Sequence, residues 1–121
     1  MLSDTIYWQI YLKGYLIKSF NGKDTNLEFS IDRAKIEKGD KLLVQYFRDT
    51  PCASCPTHLA IYDDNKNEIL LINGKSTLAP LYFDINKLIS KWNTESIKFF
   101  EGYYWENNSV RHKLLFILKF E

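Results

Sequence analysis

The densest group of reactive side chains in the sequence is Pro51-Cys52-Ala53-Ser54-Cys55-Pro56-Thr57-His58. Three chemistries fit it. Two thiolates separated by two residues form half of a tetrahedral zinc site, and His58 follows three positions on. The fourth ligand would have to be His112, the other histidine, or a carboxylate such as Asp49. No second CxxC completes the set. The first expectation is therefore no cofactor, with zinc on Cys52, Cys55 and His58 as the alternative. A redox reading needs a thiolate stabilised at a helix N-terminus. Here the residues after Pro56 read as a strand, and no βαβ context surrounds the motif. The third chemistry is structural: a small loop disulfide under oxidising conditions, or two free thiols under reducing ones. Pro51 and Pro56 confine the excursion, so Cys52 and Cys55 are expected to lie close together as a local unit.

Elsewhere the catalytic signals are sparse, and no residue is assigned a catalytic role. Asp63-Asp64-Asn65-Lys66-Asn67-Glu68 carries alternate oxygen ligands. It lacks the glycine and the distant bidentate glutamate of a calcium loop, and reads as a hairpin turn. No phosphate-cradling glycine loop, metalloprotease helix or nucleophile elbow is present. What remains is aromatic content. Phe, Tyr and Trp make up 16% of the chain, concentrated in Phe99-Phe100-Glu101-Gly102-Tyr103-Tyr104-Trp105 and near the N-terminus. Tyr7 and Tyr11 alternate against Ile6, Trp8 and Ile10, so one set packs a core and the other faces away. Exposed aromatic faces favour contacts with other molecules. This makes Tyr7, Tyr11, Phe100 and Tyr104 the candidate ligand- or partner-binding residues.

The elements that carry these residues are mainly strands. Apolar residues alternate in Ile6–Leu12, Leu27–Ile31 and Leu42–Tyr46, and near the end in Ile97–Trp105 and Val110–Phe120. Period two marks half-buried strands. The pattern places Trp8, Phe29, Val44, Ile61, Leu71, Phe99, Leu114 and Phe116 in the core, and His112 in the apolar register of the last strand. Asn21-Gly22, Asp64-Asn65, Asn73-Gly74 and Asn107-Asn108 supply turn chemistry between the runs. A meander over about residues 57 to 83 and a closing hairpin over 96 to 120 follow from that spacing. Asp32–Lys38 and Asp84–Trp92 break the alternation, each opening on a capping aspartate. Short helical crossings of this kind carry a chain from one sheet to the other.

Together these features predict an all-β, two-sheet antiparallel β-sandwich of about eight strands. Its connections would be Greek-key or jelly-roll-like, with one or two short helical crossings. All 121 residues fit a single domain, with 1–121 as its bounds. Sixteen basic and fifteen acidic residues leave a net charge of +1, without the basic excess of a nucleic-acid binder. No apolar run is long enough to cross a membrane, and the N-terminus lacks a signal-peptide pattern. The chain is thus expected to be soluble, and cytoplasmic if full length. The functional expectation is a non-enzymatic binding module acting through an aromatic-rich sheet face. Its partner would be another protein or a second copy, with carbohydrate next, and with neither nucleic acid nor membrane. A metal- or thiol-dependent protein centred on the cysteine loop is the competing class.

Overall fold

Among the described residues, alternation along the chain resolves into nine strands in two sheets packed face to face. The structure is a computed structural model that describes residues 6–107 and 111–121. The strands are β1 (Ile6–Leu12), β2 (Tyr15–Asn21), β3 (Glu28–Ile31), β4 (Lys41–Arg48), β5 (Thr57–Asp63), β6 (Glu68–Gly74), β7 (Leu81–Asp84), β8 (Phe100–Glu106) and β9 (Lys113–Phe120). One sheet has the order β2-β1-β4-β7 and the other β3-β9-β8-β5-β6. All pairings are antiparallel except β3 with β9, which run parallel. This is the expected two-sheet all-β sandwich.

Both non-strand segments fall at crossings between sheets. After β3 the chain makes a short 3₁₀ turn, Arg33–Lys35, with the Asp32 carboxylate accepting from the Ala34 N–H at 3.0 Å. After β7 comes the helix α1, Asn86–Thr94, and Asp84 accepts from the Asn86 N–H at 2.9 Å. Leu88 is its buried residue, with Ile89 and Trp92 packed against the core.

The core lies between the sheets. Trp8, Ile10, Val44 and Leu42 face Leu59, Ile61, Phe100, Phe116 and Leu118 across it. The Trp8 indole N–H donates to the Leu115 carbonyl at 2.7 Å, which satisfies a donor that burial would otherwise strand.

Several local expectations are corrected. Asn21-Gly22 does open a turn after β2, the Asp24 N–H donating to the Asn21 carbonyl at 3.0 Å, but it leads to the other sheet and closes no hairpin. The hairpin turn joining β1 and β2 is Lys13-Gly14, both at positive φ. Asn73 and Gly74 are strand residues paired with His58 and Thr57. The meander stops at β6, because β7 pairs with β4 in the other sheet. The expected turn at Asn107-Asn108 extends outside the described residues, as does Val110.

Three of the eight expected core residues are placed otherwise. Leu71 is 48% exposed, since it sits opposite Ala60 on the outer face while Leu70 and Ile72 turn inward. Phe99 and Leu114 are only partly buried. In β8 the inward set is Phe100, Gly102 and Tyr104. The opposite parity would drive the charged Glu101 into the apolar core. In β9 a bulge inserts Leu115 between the partners of Gly102 and Tyr103. Leu115 and Phe116 are consequently both buried, and the alternation changes face there.

Candidate functional site

The outer face of the four-stranded sheet carries the side chains that alternate away from the core. On β1 these are Tyr7, Gln9 and Tyr11; on β4, Leu43, Gln45 and Phe47; on β7, Tyr82. Pairing sets them in rows across the sheet: Tyr7 beside Phe47, Gln9 beside Gln45, and Tyr11, Leu43 and Tyr82 in line. Tyr7 and Phe47 stack at 4.5 Å between centroids, with their planes 12° apart. The Tyr11 hydroxyl donates to Gln9 Oε1 at 2.8 Å, and the Gln45 amide donates to the Leu78 carbonyl. Two strand spacings separate Tyr11 from Tyr82, or about 10 Å.

Of these outer-face residues, Tyr11, Leu43, Gln45, Phe47 and Tyr82 line an open groove of about 880 Å³, while Tyr7 and Gln9 lie outside its lining. One end is closed by Lys13, Glu37 and Asp40. Lys13 Nζ lies 3.2 Å from Asp40 and 3.7 Å from Glu37, and donates to the Lys35 carbonyl at 2.9 Å. The Glu37 N–H bonded to the Asp40 carboxylate, together with Lys13, holds that carboxyl below its ordinary pKa. Lys41 Nζ sits 5.0 Å above the Tyr82 ring. The four charged groups lining the groove are thus already engaged. Its apolar floor is available, and Tyr82 is more than half exposed.

Of the four candidate aromatics, the structure puts Tyr7 and Tyr11 on this outer face, partly exposed. Phe100 and Tyr104 are corrected: they are 0% and 4% exposed and point between the sheets. The parity of β8 is the reason, and it turns Tyr103 and Trp105 outward instead. Sequence reasoning missed Phe47, Gln45 and Tyr82. Alternation in β4 contained a signal for the first two, because Leu43, Gln45 and Phe47 form the set opposite the core. Only the strand order brings them beside Tyr7 and Tyr11.

The cysteine loop joins β4 to β5. Cys52 and Cys55 are close, as expected, with Cα atoms 5.5 Å apart and a disulfide between them. Neither then offers a thiolate. His58 does not turn to them: its Nδ1 is 2.7 Å from Asn73 Oδ1 and its ring lies 5.1 Å from that of Trp105. His112 lies outside the strand, exposed and stacked on the other side of the pair at 3.8 Å from Trp105. Among the described residues no three His, Cys, Asp or Glu side chains converge on a metal position.

The loop is instead tied to a polar network at one end of the sandwich. The Cys52 N–H donates to the buried Thr77 hydroxyl at 2.8 Å, and that hydroxyl donates to Glu106 at 3.0 Å. Glu106 also accepts from the Tyr104 hydroxyl at 3.0 Å and from Arg48 at 2.7 and 3.2 Å. Burial pulls the Glu106 pKa upward, but hydrogen bonds from Arg48, Thr77 and Tyr104 with the Arg48 charge outweigh it and hold the pKa low. Burial, then the Glu106 charge, pushes the Tyr104 phenol well above its ordinary value. With every member satisfied, the network is a structural clamp.

No protein-family model and no curated protein matches this chain. The functional reading therefore rests on the groove.

Proposed function

We propose that this chain is a binding module whose groove on the four-stranded sheet holds an uncharged, polyhydroxylated ligand, a segment of glycan. The observation carrying this is the Tyr11–Leu43–Tyr82 row across the groove floor, with Gln45 beside it. Aromatic rings give flat apolar platforms for the C–H faces of sugar rings. The Gln45 carboxamide offers polar atoms to hydroxyls. The groove volume lies within the ordinary range of ligand sites. Its charges are engaged with one another or with Tyr82, which favours a neutral ligand over an ionic one. A protein partner in the same groove, the expectation that aromatic content first raised, would find a concave surface rather than a broad patch.

The test is affinity electrophoresis through gels containing neutral soluble polysaccharides of different linkage. Retardation in at least one is expected. Tyr82→Ala should weaken binding by about tenfold, equivalent to about 1.4 kcal/mol. Tyr103→Ala, on the outer face of the other sheet, should leave it unchanged. Free migration in every gel, or equal losses in the two variants, would overturn the assignment.

A further inference from the structure

We propose that this chain pairs with a second copy of itself along β2, antiparallel, about a two-fold axis at Leu16. Among the described strands β2 has β1 on one side and no strand on the other. It presents Tyr15, Leu16 and Ile17, exposed by 76%, 50% and 38%, and buries only Phe20. An open edge with contiguous apolar residues is a template for another strand. The other edges are guarded. β3 and β7 have four residues each, and Glu28 on β3 pairs with Lys119 at 3.3 Å. β6 shows one exposed large apolar residue, Leu71.

The pattern within β2 selects the occupant. The three exposed apolar residues are consecutive and centred on Leu16. A two-fold axis there sets Leu16 against Leu16 of the second copy, and Tyr15 against Ile17 in both directions. Aromatic and β-branched residues make favourable cross-strand pairs. Ile17 is the bulged residue of the β1–β2 pairing and has no partner on β1, so the second copy supplies its missing neighbour. Charge fixes the register further. Lys18 is the sole charged residue of β2. An axis at Lys18 would oppose like charges directly, which destabilises a sheet. With the axis at Leu16, Lys18 faces Gly14, the neighbouring Lys13 is held by Asp40 and Glu37 of its own copy, and the two Lys18 residues stand about 14 Å apart along the strands. That exceeds the screening length in physiological salt. About five residues per copy are engaged, a contact below the size of stable interfaces, so the pairing is concentration-dependent.

Sedimentation velocity over about 1 μM to about 1 mM, the range of weak association, reads this directly. The sedimentation coefficient should rise with concentration. Leu16→Lys, at an exposed site whose folding circular dichroism can verify, should weaken dimerisation at least tenfold. Register is read by cross-linking. Mild oxidation should couple Leu16→Cys into a covalent dimer, because directly opposed Cβ atoms lie about 5 Å apart. Ser19→Cys, on the same strand but far from its counterpart, should stay monomeric. A single species at all concentrations with no cross-link overturns the proposal and leaves the edge to a strand of another protein. A dimer that survives Leu16→Lys also overturns it and places the contact elsewhere.

Discussion

Gly102 sits directly across from Phe116 in the β8–β9 pair, and the Phe116 ring lies over the space a side chain would need. A Cβ built at Gly102 would come within 2.3 Å of that ring. Phe116 is fully buried and cannot swing aside. Gly102→Ala should thus cost about 1–3 kcal/mol by overpacking. Phe116→Ala should cost about 3–5 kcal/mol through lost burial and a cavity. In urea denaturation the double variant should lose less than the sum, since the added methyl occupies part of the cavity. Glu106 gives a pH prediction. Its folded pKa lies below the unfolded value of about 4.3. The stabilisation is fully present above the unfolded value and is lost as pH falls through the folded one. Asp63 adds in the same direction, since its bonds to Asn67 and Asn65 outweigh burial. The melting temperature should decline in that acid range. Glu106→Gln should flatten part of the decline and cost about 1–3 kcal/mol at neutral pH by weakening the bonds to Arg48.

Strand identity and strand face were unequally legible. Alternation marked β1, β3 and β4 with the correct inward set, because each keeps one parity from end to end. The face of β8 was not legible from period two alone, since the regular strand begins at Phe100. In β9 the alternation put Phe116 on the inward face correctly, with Leu118 and Phe120 in the same set, and failed at Leu114, where the bulge at Leu115 changes parity. Glu101 was the one local clue: an acid within an apolar alternation means that its own parity faces outward. Its carboxylate meets Lys66 Nζ at 2.6 Å. The consequence for the site was direct. Tyr7 and Tyr11 fell on an outer face, Phe100 and Tyr104 did not, and Tyr82 lay unseen in a four-residue strand whose sheet only topology reveals. The β4–β5 loop supplies a test at this scale. Its covalent ring is short, so the disulfide contributes at most about 2 kcal/mol by chain entropy. Thr77 holds the Cys52 backbone through a hydroxyl and an N–H, independently of the sulfurs. Reductant should lower the melting temperature modestly while leaving the circular dichroism intact. Thr77→Val with reductant should cost more than either change alone.

Across the whole molecule, pairing through β2 would join two four-stranded sheets edge to edge, with both grooves on the same side. A long glycan could then engage two grooves at once, and the second contact would be intramolecular. Retention on a polymeric ligand should thus rise more steeply with protein concentration than binding of a short oligosaccharide. Leu16→Lys should remove that excess without changing the oligosaccharide affinity. The parallel pair of β3 with β9 bears on a different matter, the order in which the chain can assemble. β3 takes its partner from Ile117–Phe120, the Trp8 indole bonds to Leu115, and the Arg33 N–H bonds to the Glu121 carbonyl. Three early parts of the sequence are therefore completed only by its last stretch. Such non-local closure slows folding. It also means that a growing chain on the ribosome carries an unpaired β3 and an unburied Trp8 until residue 121 has left the exit tunnel. Stalled nascent chains should remain protease-sensitive at every shorter length and become resistant in one step, after β9 emerges.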